Sequence, residues 1–261
     1  RAGSSILRAG CLIGASQVGA LAAAGLTEVQ CTKRPRVGIV VTGSELCSPG
    51  DTLSEGQIYE SNGLMLAAQL SHAGAVPAQL GIVSDDADEQ KRTLERALLG
   101  FDMVVTSGGA SVGPHDLVRE TQRKLRVEEL FHGVAIRPGK PVTFGMRKKH
   151  QIFNLPGNPV SAMVCFELLV RPAVYALLGS QHVLPRFERG ILNGAVRQLS
   201  SRDQFIRARR CEPMESRVLE PLTAQGSHMI VSAAQADVLV RIERGDGFVQ
   251  DGSEVSYLPL A

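Results

Sequence analysis

Hydrophobic and polar positions along this chain fall into blocks whose period switches repeatedly between that of a strand and that of a helix. Val37-Gly38-Ile39-Val40-Val41-Thr42 is a short apolar run of the kind a strand buried on both faces carries, and Gly43-Ser44-Glu45 ends it in a turn. Ser61 and Asn62 offer cap chemistry to a helix whose apolar residues Leu64, Met65, Leu66 and Leu70 precede a stop at Gly74. Val76 to Val83 reads as a second strand. Asp85 and Asp86 precede a helix from Glu89 to Leu99, closed by Gly100, and Met103 to Thr106 is a third buried strand. Shorter strands are expected at Leu130 to Val134, Val142 to Met146 and Ile152 to Leu155. A long apolar helix follows from about Val160 to Leu178, with Pro172 as the place for a kink. This rhythm predicts an α/β fold, a doubly wound sheet with helices on both faces.

After Pro185 the long helical period disappears. Short alternating segments at Ile206 to Arg210, Val218 to Pro221, Val238 to Ile242 and Glu254 to Leu260, with turns at Asn193-Gly194 and Asp251-Gly252, predict a small all-β, barrel-like domain. Three segments are therefore expected: residues 1–33, 34–183 and 184–261. The first holds a short helix, Ser16 to Ala24, stopped by Gly25, and reads as the tail of an incomplete N-terminal domain plus a linker.

Composition narrows the functional classes. The chain of 261 residues is 44% hydrophobic, enough for one large or two ordinary cores. A net charge of +2 gives no case for a nucleic-acid partner, so any anion binding must be local. The five cysteines are scattered without a C-x-x-C pair, which argues against a disulfide framework or a zinc knuckle and fits a reducing cytoplasm. The Ala/Gly-rich stretch from Cys11 to Leu26 lacks the form of a signal peptide or membrane span, and no membrane partner is expected.

The chemistry concentrates in loops that leave strands. Ser107-Gly108-Gly109-Ala110-Ser111-Val112-Gly113-Pro114-His115-Asp116 follows the third strand, and in open α/β sheets this edge is where ligands bind. Its glycines let backbone amides approach a ligand closely; taken alone, it reads equally as a tight turn in which Asp116 caps the helix from Leu117. Leu155-Pro156-Gly157-Asn158-Pro159-Val160-Ser161 also leaves a strand and enters a helix, offering free amides at the helix start, or simply a rigid turn. Arg137-Pro138-Gly139-Lys140-Pro141 holds two cations on a stiff turn. It lies in a stretch, Leu117 to Lys149, with nine cations against three anions, a pattern that is often just a solvated face.

Together with Thr42-Gly43-Ser44-Glu45-Leu46, Gly56 to Asn62 and Asp85-Asp86, these loops resemble the motifs of the molybdopterin molybdenumtransferases, of MoeA type and related to the C-terminal domain of gephyrin. The resemblance runs over nearly the whole chain. It implies a cytoplasmic, homodimeric enzyme of molybdenum cofactor biosynthesis that takes molybdate and adenylylated molybdopterin and releases AMP, aided by Mg2+. It further implies that Glu45 and Asp85 hold the metal and that Asp116 is a catalytic acid beside the adenylate, so that the catalytic set is Asp116, Asp85 and Glu45. Substrate would be bound by Thr42, Gly43, Ser107, Gly108, Gly109, Ser111 and Gly113, by Pro156, Gly157, Asn158 and Ser161, and by the cations Arg137 and Lys140. Ser227, in a Gln225-Gly226-Ser227-His228 turn, would lie near the molybdate site of a partner subunit.

That assignment is physically coherent, because a cation placed between carboxylates and anionic substrate oxygens reverses the local field. Magnesium suits oxygen ligands and keeps its waters. His115 has no evident partner in the sequence. Two departures stand out: Ser44 replaces the Asp or Asn common in the family, and Ala234-Gln235-Ala236-Asp237 replaces Ala-Arg-Ala-Asn, which puts a molybdate contact from this region in question. The alternative readings are a molybdopterin adenylyltransferase, which lacks the long helix and the β domain, and a non-catalytic gephyrin-like scaffold, against which the three carboxylates speak. A nucleotide hydrolase of the competence-damage type would not predict the β domain.

Overall fold

A computed structural model describes residues 4–108, 117–211 and 217–260. Its centre is a six-stranded sheet made of β1 (Arg36–Thr42), β2 (Val76–Val83), β3 (Met103–Ser107), β4 (Glu128–His132), β5 (Thr143–Arg147) and β6 (His150–Leu155), in the order β2-β1-β3-β6-β5-β4. In that order β2, β1, β3 and β6 are mutually parallel, and β5 runs antiparallel to both of its neighbours, β6 and β4. Their side chains alternate between two cores, as strand geometry requires. Val37, Ile39 and Val41 join one; Val40 joins the other.

Helices α1 (Ala15–Ala23), α2 (Asn62–His72), α3 (Ala87–Gly100), α4 (Leu117–Lys124) and α5 (Pro159–Leu177) complete this part. Leu66 and Leu70 of α2 and Val160 and Val164 of α5 cover one face of the sheet, and Leu94 and Leu98 of α3 with Val118 of α4 cover the other. The doubly wound arrangement expected from the alternation is thus present. In α2 the buried stripe is narrower than the sequence reading held: Leu64 is exposed. Asp86 caps α3 by accepting from the Glu89 amide at 2.7 Å. Strands β4 and β6 begin two residues before the expected positions and β5 one residue after, and the cations Lys148 and Lys149 form the tip of the β5–β6 hairpin.

Helix α5 is apolar and long enough to cross a membrane by length and composition alone, but its apolarity is explained by burial in the core. Pro172 has no amide to donate, and the expected kink takes the form of a π turn over Phe166–Val170, where Arg171 N donates to Phe166 O.

Beyond α5 come β7 (Glu188–Leu192), β8 (Asp203–Arg210), β9 (Val218–Pro221), β10 (Val238–Ile242) and β11 (Glu254–Pro259). They pair in the order β9-β7-β11-β10-β8, and a β8–β9 pairing closes the ring into a five-stranded barrel around Leu192, Ala208, Leu219, Val238 and Val240. The expectation that this part is all β needs one amendment, a helical turn at Ile230–Ala233. The two parts are joined by backbone as well as by side chains. Ile136–Arg137, the start of the Pro-Gly turn, pairs in parallel with Asp203 and Gln204 of β8.

Candidate functional site

The carboxyl ends of β1, β2, β3 and β6 lie along one edge of the sheet, so the loops that leave them meet. After β1, the Ser44 hydroxyl donates to Asp85 Oδ2 at 2.8 Å, and the Ser44 amide approaches the same oxygen at 3.4 Å. Glu45 is held from behind: its carbonyl accepts from Ile58 N at 2.9 Å, and Leu46–Cys47 pairs with Ile58–Tyr59. Its side chain folds back over Gly43, where a Cβ would stand 2.8 Å from either carboxylate oxygen. Glu45 and Asp85 therefore belong to one edge.

Gly108 is where the loops close on one another. With φ at +95° it adopts a conformation that side chains disfavour, and a Cβ there would sit 2.1 Å from Thr42 O and 2.8 Å from Thr42 Oγ1. A Cβ on Gly157 would stand 3.5 Å from Gly108 Cα, so the turn after β6 lies directly against the loop after β3. Ser107, fully buried at the end of β3, donates through its hydroxyl to Pro156 O at 3.4 Å. Thr42, Gly43, Ser107, Gly108, Pro156 and Gly157 are thus brought together. Gly109, Ser111, Gly113, His115 and Asp116 lie outside the described residues.

Two expectations are modified, on the free amides of α5 and on the cap of α2. The start of α5 does not offer all its amides: Val160 N donates to Ser227 O at 3.0 Å, so the Gln225 to His228 turn of the same chain abuts this helix end. Asn158 makes no side-chain cap bond, and Ser161 is buried in the helix. The cap of α2 is not Ser61, which makes no such bond, nor Asn62; Glu60 Oε1 accepts from Gly63 N at 2.6 Å instead. Asn62 reaches across to the cradle, a role that cap chemistry concealed.

The cations Arg137 and Lys140 are both exposed. Arg137 lines a cleft of about 500 Å³ with Arg197, Gln198, Ser200, Gln204 and Asp246, on the barrel side of the turn rather than beside the carboxylates. In the barrel, Arg207 is 1% exposed and its guanidinium donates to two backbone carbonyls, Ala224 O and, at 3.2 Å, Gly226 O. Burial holds its pKa below the usual guanidinium value. Gln225 bridges the same turn, accepting from Arg207 N at 3.0 Å and donating to Arg207 O at 2.8 Å. Sequence reasoning missed Arg207; the signal available was a cation within an otherwise apolar strand segment. Gln235, at the departure from Ala-Arg-Ala-Asn, accepts through its backbone carbonyl from Arg209 Nε at 3.0 Å.

Residues 38–176 match the family model of a probable molybdopterin binding domain, and residues 189–260 match that of the MoeA C-terminal region, domain IV. The chain belongs to the MoeA family. Among MoeA relatives it is similar to the molybdopterin molybdenumtransferase of Staphylococcus aureus, with 31% identity over 258 residues, which is 99% of this chain and 62% of that protein. It is 36% identical over 212 residues to molybdopterin molybdenumtransferase 2 of Mycobacterium tuberculosis, covering 79% of this chain and 52% of that one. The solved structure of the molybdopterin biosynthesis moeA protein from Pyrococcus horikoshii superposes with a TM-score of 0.82 at 27% identity, covering 99% of this chain and 62% of that chain. The chain thus spans less than two thirds of the length of these relatives.

Proposed function

We propose that this chain is the molybdopterin-binding and C-terminal part of a molybdopterin molybdenumtransferase, which inserts molybdenum from molybdate into adenylylated molybdopterin and releases AMP. Residues 34–183 would form the substrate-binding unit and 184–261 the C-terminal one, in a cytoplasmic homodimer. The observation that carries the reading is that the loop after β1, which holds Glu45, is tied to Asp85 after β2 by the Ser44–Asp85 hydrogen bond, at the sheet edge where Gly108 and Gly157 bring two further loops into contact. The similarity to proteins named molybdopterin molybdenumtransferase supports the same reaction.

Magnesium fits the donors at this edge. Two carboxylates and a hydroxyl are oxygen ligands of the kind magnesium takes, and an ion that keeps most of its waters needs few protein ligands. Glu45 and Asp85 would hold it, and when bound it would offset the negative charge of substrate oxygens. Gly108, Gly157 and the end of β3 would bring backbone groups to the pterin and phosphate. Arg137 and Lys140 would meet anionic groups, and Asp116 would act as the acid.

The test is AMP release on mixing the protein with adenylylated molybdopterin, molybdate and magnesium. Release by the unmodified protein, slowed by roughly a hundredfold or more in Asp116→Asn, is the expected result, the scale of a positioned acid or base. An Asp116→Asn protein that turns over at the unmodified rate would reduce Asp116 to a helix cap.

A further inference from the structure

Asn62, at the first residue of α2, is 7% exposed and reaches two loops at once. Its amide nitrogen donates to Ser107 Oγ at 2.8 Å and to Gly157 O at 2.7 Å. A backbone carbonyl can only accept, so the contact with Gly157 fixes which end of the amide is nitrogen. Both amide hydrogens are used. The Ser107 hydroxyl, having accepted from Asn62, passes its own hydrogen to Pro156 O. What remains is Asn62 Oδ1, buried and, among the described residues, without a hydrogen-bond partner. Thr42 Oγ1, beside Gly108, is in the same condition. Buried polar atoms in folded proteins are almost always satisfied, so two orphans at the point where the loops after β1, β3 and β6 converge indicate a missing partner.

We propose that Asn62 is the specificity-determining residue of this cradle: its nitrogen clasps the two loops, and its Oδ1 accepts a hydrogen bond from an N–H donor on the edge of the bound pterin. The inference rests on the molybdopterin reading above and deepens it. An amide that cannot flip shows the ligand only an acceptor. Phosphate or molybdate oxygens placed there would set lone pair against lone pair, whereas the amino and ring N–H groups of a pterin supply the hydrogen that Oδ1 lacks. The anionic part of the ligand is thereby turned away from Asn62.

Calorimetric titration of the protein with molybdopterin and, separately, with inorganic pyrophosphate as a probe without N–H groups tests this. Asn62→Leu should lose roughly tenfold to a hundredfold in molybdopterin affinity, with a clearly smaller loss for pyrophosphate, which senses only the loosened clasp between the loops. Asn62→Asp, close to the amide in size and still an acceptor, should keep more molybdopterin affinity than Asn62→Leu; should the leucine variant not fold, the aspartate variant is compared with the unmodified protein, and complete loss of binding counts against the proposal. Undiminished molybdopterin binding by Asn62→Leu, an equal loss for both titrants, or an aspartate variant as weak as the leucine one overturns it. Failure of the unmodified protein to bind molybdopterin removes the functional reading and this inference together; binding that is indifferent to Asn62 removes the inference alone.

Discussion

The Ser44 hydroxyl and the Asp85 carboxylate, 41 residues apart in sequence, are hydrogen-bonded at 2.8 Å. This bond ties the turn after β1 to the loop after β2. It also gives meaning to the departure at position 44: a serine donates to Asp85, whereas an aspartate would set a further negative charge against it.

A metal held by so few protein ligands should respond measurably to the loss of any one. Glu45→Gln and Asp85→Asn are each expected to raise the magnesium concentration for half-maximal AMP release by roughly tenfold or more, and Ser44→Ala to shift it in the same direction by less. Magnesium titrations of the variants decide this; curves that overlie the unmodified one would take the ion away from this edge.

Gly108 and Gly157 separate folding from ligand approach. The sequence alone suggests that a bulky residue at Gly108 would block the ligand and spare the fold, but a Cβ only 2.1 Å from Thr42 O shows that even alanine must displace backbone. Gly108→Ala should therefore lower the melting temperature by several degrees, equivalent to roughly 1–3 kcal/mol. Gly157→Ala meets only an ordinary 3.5 Å contact, so its melting temperature should hardly move while its molybdopterin affinity falls. Thermal melts and titrations of both proteins check the pair, and a stable Gly108→Ala would contradict the close packing.

Within the π turn of α5, Glu167 receives Arg171 through two bonds of 2.6 and 2.7 Å and Gln69 of α2 through a third of 2.8 Å. Removing the acid alone leaves a largely buried guanidinium uncompensated. Glu167→Leu should cost about 3–5 kcal/mol in urea denaturation, and Glu167→Leu with Arg171→Met should cost clearly less, since no stranded charge remains. Equal losses in the single and double variants would mean that the pair is not coupled.

Much of the architecture was legible before any coordinates. The run Val37 to Thr42, the strand Val76 to Val83 and the helix opened by Asp86 follow from local rules: which faces are apolar, where a carboxylate can cap, where glycine ends a helix. The loops that carry the family's motifs are equally local, each a strand end followed by residues able to take a tight turn. Strand β7 was not anticipated, because Gly190 interrupts its pattern; a Cβ there would lie 2.7 Å from a side-chain carbon of Leu219, a neighbour known only from the closed barrel.

By itself, then, the sequence determined the order of strands and helices, the β character after Pro185 and the family, because each rests on residues adjacent in the chain or at a fixed helical or strand period. Only the tertiary structure decided which polar atoms meet. Asn62 joins Ser107 and Gly157 across 45 and 95 residues, Ser227 closes the start of α5, Arg137 turns toward the barrel, and Arg207 is buried against the turn that holds Gln225. No periodicity encodes such pairings. They arise when parallel strands bring distant loops to one edge and burial forces each amide and guanidinium to find a partner there.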